Sequence, residues 1–145
     1  MTSQLPFYQA FETRMQALGL PVSQQPFGHF DDAVANACQM AAVVGLLGEG
    51  ASVADMVRRT LGLEKLMLAA DYNARAYTAG VISSIAMASG QIRDGAAPMG
   101  DLFRFTFQHR LQFPGWQLVF MMNPALTNPA ARNAHAFGNR ARQVA

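Results

Sequence analysis

The chain sets an imidazole beside two carboxylates at His29-Phe30-Asp31-Asp32, with His109 and His135 further along. These groups do general acid-base work and bind zinc, so they are where a small hydrolase or a metal site would be sought. Their spacing argues against both. The histidines lie 80 and 26 residues apart and repeat no ligand pattern. Asp31 and Asp32 have a sufficient use at a helix start, where free amides and the positive dipole end favour carboxylates. The sequence therefore predicts no catalytic residue, no metal and no cofactor, and keeps a hydrolase built on His29, Asp31 and Asp32 only as a distant alternative. Cys38, the single cysteine, can form neither an internal disulfide nor a CxxC knuckle and reads as a small buried apolar group. The run Gly45 to Gly50 lacks the GK[ST] ending of a phosphate loop.

The more informative residues are small and uncharged. Ala33 to Gly48 is 16 residues without a charge, and Ala76 to Ile92 is 17. Within them Ala33, Ala37, Ala41 and Gly45 form one stripe at four-residue spacing, and Ala76, Gly80, Ser84 and Ala88 form another. Residues four apart share a helical face, so each stripe admits the close approach of another backbone. The stripes predict a tightly packed helix pair, with two uses open: an ordinary bundle interior, or a hydrophobic hairpin released to a lipid bilayer, where Ser83 and Ser84 would line water. A helix of that length spans on the order of 24 Å, short of a hydrocarbon core about 30 Å thick.

Charge is unevenly placed. Residues 1–101 carry six basic and nine acidic residues, a balance of −3, whereas residues 102–145 carry Arg104, Arg110, Arg132, Arg140 and Arg142 with no acid, a balance of +5. The same third holds Trp116 and most of the phenylalanines, among them Phe103, Phe105, Phe107, Phe113, Phe120 and Phe137. Arginine among aromatics suits an anionic surface or an acidic protein face, and Arg104, Arg110, Trp116, Arg132, Arg140 and Arg142 are the expected contacts. The alternative is that the aromatics are core and the arginines ordinary solvated charges. A single lysine and no recognisable binding motif argue against a nucleic-acid partner. Nine methionines, Met121-Met122 among them, suggest an adaptable core or contact surface.

The elements that must position these groups read as helical. The chain has 145 residues, 51% hydrophobic and 14% charged, a composition that excludes intrinsic disorder and predicts a single domain with a sizeable core. Pro6 opens a helix to about Leu18 with Phe7, Phe11, Met15 and Leu18 on one face, and Gly19 ends it. A loop follows to Gly28. A second helix runs from Asp31-Asp32 to about Leu47. Ser52 and Asp55 form an approximate capping box for a third, and Gly62 divides it from a long helix over roughly 63–89. From 103 to 113 aromatic and polar residues alternate, the period of a strand, yet Phe103, Phe107 and Leu111 also share a helical face. The helix is favoured there, and a short hairpin turning at Pro114-Gly115 stays open. Asn123-Pro124 and Asn128-Pro129 are turn signals, and 130–145 a short helix or frayed end. The predicted fold is an all-α, single-domain bundle of five or six helices, with a possible β-hairpin near 103–122. The first residues lack the basic and apolar regions of a secretory signal.

The stretch from Tyr77 to Gly90, with Asp101-Leu102-Phe103 beyond it, resembles small Ala/Gly-rich helical effectors of Gram-negative bacteria, those that act on membranes after delivery by type VI secretion systems. The glycine zipper of such effectors is represented here by Gly80 among Ala76, Ser84 and Ala88. The resemblance implies a cytoplasmic protein exported whole to a competitor's membrane and held harmless by an immunity partner. Lipid, or a protein such as an immunity or secretion partner, is thus the expected contact, with oligomerisation open. The leading expectation is a non-enzymatic effector that perturbs or perforates a membrane through its small-residue helix pair; the alternative is a soluble adaptor, chaperone or immunity-type module.

Overall fold

The computed structural model describes residues 4–22, 27–59, 63–90, 98–127 and 136–142. They form helices and tight turns, with no strand among them. In chain order these are α1 (Gln4–Ala17), α2 (Phe30–Val44), α3 (Val53–Arg59), a 3-10 turn (Glu64–Ala69), α4 (Ala74–Ala88), α5 (Pro98–Gln108), α6 (Trp116–Met121), a second 3-10 turn (Pro124–Thr127) and α7 (Ala136–Ala141). The all-α expectation holds, with more and shorter helices than the five or six predicted.

The start and stop signals act as chain chemistry dictates. After α1, Gly19 takes φ +78°, while the Leu20 amide donates to the Met15 carbonyl at 2.9 Å and the Gly19 amide to Gln16 at 3.0 Å. This is the Schellman arrangement, in which a left-handed residue lets the chain satisfy the last carbonyls. At α3 the Ser52 amide donates to Asp55 Oδ2 at 3.0 Å and the Asp55 amide to Ser52 Oγ at 3.2 Å. The capping box is therefore real, and the bond from the Ser52 amide holds the Asp55 carboxyl below the usual carboxylate range.

The long helix expected over 63–89 is two elements. Asn73 divides them: its side chain accepts from the Ala76 amide at 2.9 Å and donates to the Glu49 carbonyl at 2.8 Å. Its own amide donates to the Ala141 carbonyl at 2.7 Å. The neighbouring backbone pairs outward too, since the Val53 amide reaches Tyr72 and the Ala74 amide reaches Ala51. These bonds replace the intrahelical ones that would have carried a helix through, and Asn73 becomes the N-cap of α4.

α4 is the axis of the molecule. It packs against α1, α2, α3, α5, α6, α7 and the second 3-10 turn, and every residue from Tyr77 to Ile85 is buried. A helix apolar on all sides has no solvent face to offer and belongs at the centre. One cluster surrounds it, with Phe11 and Met15 from α1, Leu18 just past it, Met40 and Val44 from α2, Phe105 from α5, Phe120 from α6 and Phe137 from α7.

The hairpin left open over 103–122 does not form. α5 and α6 occupy that stretch, joined by a turn in which Arg110 takes φ +59°. The α5 face that is buried holds Asp101, Leu102, Phe105 and Thr106; of Phe103, Phe107 and Leu111, which share a helical face in the sequence, Leu111 is buried just past the helix, Phe103 is half-buried and Phe107 is 69% exposed.

Candidate functional site

The residues with the most obvious chemistry are dispersed. His29, Asp31 and Asp32 lie on the exposed surface at the start of α2, where the two carboxylates occupy the first turn and the His29 carbonyl accepts from the Ala33 amide at 2.8 Å. His109 is elsewhere, its ring packed on Phe105 and Phe30 with centroids 4.5 Å and 5.8 Å away. His135 lies outside the described residues. Cys38 is half-buried, with Sγ 3.6 Å from the Arg110 carbonyl. Among the described residues no three His, Cys, Asp or Glu side chains gather where they could hold a metal ion.

The small-residue stripes are placed as packing surfaces. Ala33, Ala37 and Ala41 are buried on α2, and α2 lies against α4. Gly45, just past α2, is exposed and faces Pro114. On α4, Gly80 and Ser84 are buried and Ala76 and Ala88 half-buried. Gly80 is pressed by the Leu20 and Phe137 side chains, and Ala88 shares a groove with α1. At Gly80 and Ala88 the α4 stripe is thus turned to α1, Leu20 and α7. Two α4 hydroxyls, Thr78 Oγ1 and Ser84 Oγ, are buried without a hydrogen-bond partner, each a cost of about 1–3 kcal/mol.

The basic, aromatic third separates into core and surface. Phe105, Phe113, Phe120 and Phe137 are buried. Trp116 is half-buried, with its ring edge-on to Phe103 at 5.2 Å and Phe120 at 6.0 Å. Arg104 pairs with Asp101 at 2.9 Å, and Arg140 donates to Asn123 Oδ1 at 3.3 Å. Arg110 and Arg142 are exposed; Arg132 lies outside the described residues.

What stands out is α6. Gly115, at φ +80°, opens it, Phe120 anchors its inner face, and the Asn123 side chain donates to the Val119 carbonyl at 2.7 Å. The outer face carries Leu118, Met121 and Met122, which are 60%, 59% and 70% exposed. Their three- and four-residue spacing makes one apolar stripe. Fully burying such a side chain is worth about 1.5–3 kcal/mol, so the fold leaves that free energy unused.

Two arginines, one half-buried and one buried, tie distant segments together without a signal in the spacing of charges. Arg75 donates to the Pro114 carbonyl at 3.1 Å and to Leu47 at 3.4 Å, joining the start of α4 to the turn before α6. Arg14 is only 6% exposed; its Nη2 donates to the carbonyls of Ala125 at 3.0 Å and Leu126 at 2.8 Å, and Nε meets Met87 Sδ. The signal for Arg14 was its place among Phe7, Phe11 and Leu18, on the face meant for the core.

No family model, no curated protein and no solved structure matches this chain.

Proposed function

We propose that this chain is a non-enzymatic helical module that acts by contact, presenting the outer face of α6 to a protein partner. The observation that carries this is the exposed stripe Leu118, Met121 and Met122 on a helix whose opposite face is fixed by Phe120 and Trp116. Methionine suits such a surface because its unbranched, polarizable side chain adapts to the shape it meets. Arg110, exposed at the turn before α6, adds positive charge that favours an acidic partner face. An immunity or secretion protein is the class of partner this reading expects.

The test places a photo-crosslinking residue at Met121 in the cells that make the protein, identifies the captured chain and rebuilds the complex from purified components. The reading expects Leu118→Glu with Met122→Glu to abolish that complex while leaving the melting curve in place. A rebuilt complex indifferent to both substitutions contradicts it.

A second reading, the membrane-disturbing effector, has one observation on its side. The α4 run from Ala76 onward is uncharged and holds the Thr78 and Ser84 hydroxyls unpaired in this fold, groups that water could satisfy in a membrane pore. No helix among the described residues is long and apolar enough to cross a membrane, so insertion would need thinning of the bilayer or a longer helix. Release of a small ion from anionic vesicles, abolished by Gly80→Asp, supports this second reading; tight vesicles at neutral and mildly acidic pH remove it.

A further inference from the structure

Arg14 plays no part in the α6 surface, yet among the described residues it is the charge buried deepest. Among the described residues no carboxylate pairs with it. Two of its nitrogens are engaged, but Nη1 is buried with no hydrogen-bond partner. A guanidinium taken from water without a counter-charge is costly, and the protein carbonyls that hold it supply dipoles rather than charge. Burial accordingly pushes it down to about 10.

The same residue lines an open groove of about 680 Å³ between α1 and the end of α4, a size within the rough range of 300–1,000 Å³ for small-molecule clefts. Its other walls are Pro6, Ala10 and Ala17 of α1 and Met87 and Ala88 of α4, with the polar Gln9 and Thr13 of α1 beside them. Pro6, Ala10, Arg14 and Ala17 follow one another at helical spacing, so the groove tracks α1 for about 16 Å. A mostly apolar trough with one cation in its wall, paired with no carboxylate among the described residues, selects a ligand with both features. Inorganic phosphate would leave the apolar wall uncovered, and a neutral hydrocarbon would leave the charge unanswered.

We propose that this groove binds a monoanionic amphiphile, a carboxylate joined to an apolar chain, with the carboxylate drawn to Arg14 and the chain lying along Pro6, Ala10, Met87 and Ala88. A single negative charge matches the single guanidinium, and the attraction is between the charges, because Nη1 itself lies beneath the surface. The contact is independent of α6, and either can fail without the other.

The experiment is calorimetric titration of the full chain with sodium decanoate below its micelle concentration, beside decanol and decyltrimethylammonium. Saturable one-site binding of decanoate is expected, with the neutral and cationic analogues weaker by roughly tenfold or more. Ala10 is exposed, so Ala10→Trp fills the groove without entering the core and should abolish binding with the melting temperature kept. Arg14→Gln should bring decanoate and decanol to equal affinity if it folds; Ala10→Trp decides the matter if it does not. Leu118→Glu with Met122→Glu should leave decanoate binding unchanged. The proposal is overturned by absence of saturable binding, by decanol binding as well as decanoate, by an indifferent Ala10→Trp, or by loss of binding in the α6 variant.

Discussion

At the scale of single residues, α4 is held by close contacts and by one buried phenol. Tyr77 is fully buried and donates to the Pro21 carbonyl at 2.8 Å; burial raises its pKa well above the ordinary 10. Above that pH the unfolded chain gives up a proton that the folded chain keeps, so the folded state binds more protons and stability falls as pH rises. Arg14, shifted down to about 10 from 12.5, acts in the opposite sense, because there the folded state is the first to lose its proton. In a comparison of wild type with Tyr77→Phe, Arg14 is common to both and cancels. Urea titrations should show Tyr77→Phe less stable by about 1–2 kcal/mol at pH 7, from the orphaned carbonyl, and losing less than wild type between about pH 9 and pH 11. The glycines make a second contrast. A methyl added at Gly138 would strike the Gly19 and Leu18 backbone, whereas one at Gly80 would meet the end of the Leu20 side chain. Leucine can turn and backbone cannot. Gly138→Ala should cost more than Gly80→Ala, within the roughly 1–3 kcal/mol of overpacking, and equal costs would contradict the packing described.

At the scale of elements, the sequence was most legible where one residue's local chemistry fixes a boundary. Gly19 and the Ser52 and Asp55 box did what their types require. The continuity expected through Asn73 failed because its N-cap geometry is completed by distant groups, Glu49 and Ala141, which periodicity cannot foresee. The α5 register is legible only in part for a related reason: Phe103, Phe105 and Phe107 fit a strand side and Phe103, Phe107 and Leu111 a helix side equally well, and packing on α4 keeps Leu111 inside, selects Leu102, Phe105 and Thr106 and leaves Phe107 out. The end of α5 carries its own prediction. The Leu111 amide donates to Thr106 at 2.9 Å, the Schellman pattern again, yet the left-handed residue is Arg110 at φ +59°. A side chain there costs roughly 1–2 kcal/mol, offset in part by the entropy glycine loses on folding. Arg110→Gly should therefore stabilise the protein by about 0.5–1 kcal/mol in a thermal or urea melt, and a loss of stability would show that the Arg110 side chain makes a contact that holds α5.

At the scale of the whole molecule, the compositional bias resolves into an interior and a surface. Uncharged small residues build α4 and the faces around it, and four of the C-terminal phenylalanines join the same core. Large apolar side chains also reach the surface at Leu46, Met67, Leu68 and Phe107, and the outer side of α6 gathers three of them, Leu118, Met121 and Met122, within five residues, as the paired methionines hinted. The buried cation at Arg14 was hidden because a charge at one position of an amphipathic face is invisible to an average over the helix. The proposed contact through α6 requires α4 to stay in place while α6 is covered. Leu118→Glu with Met122→Glu should accordingly leave the melting temperature within a few degrees, since the side chains are already solvated. The most direct test of the central claim is amide hydrogen exchange, read by mass spectrometry on the rebuilt complex and on the free chain. The account predicts that protection rises over 116–122 on binding while 74–88 stays protected in both; faster exchange over 74–88 in the complex, with 116–122 unchanged, would contradict it.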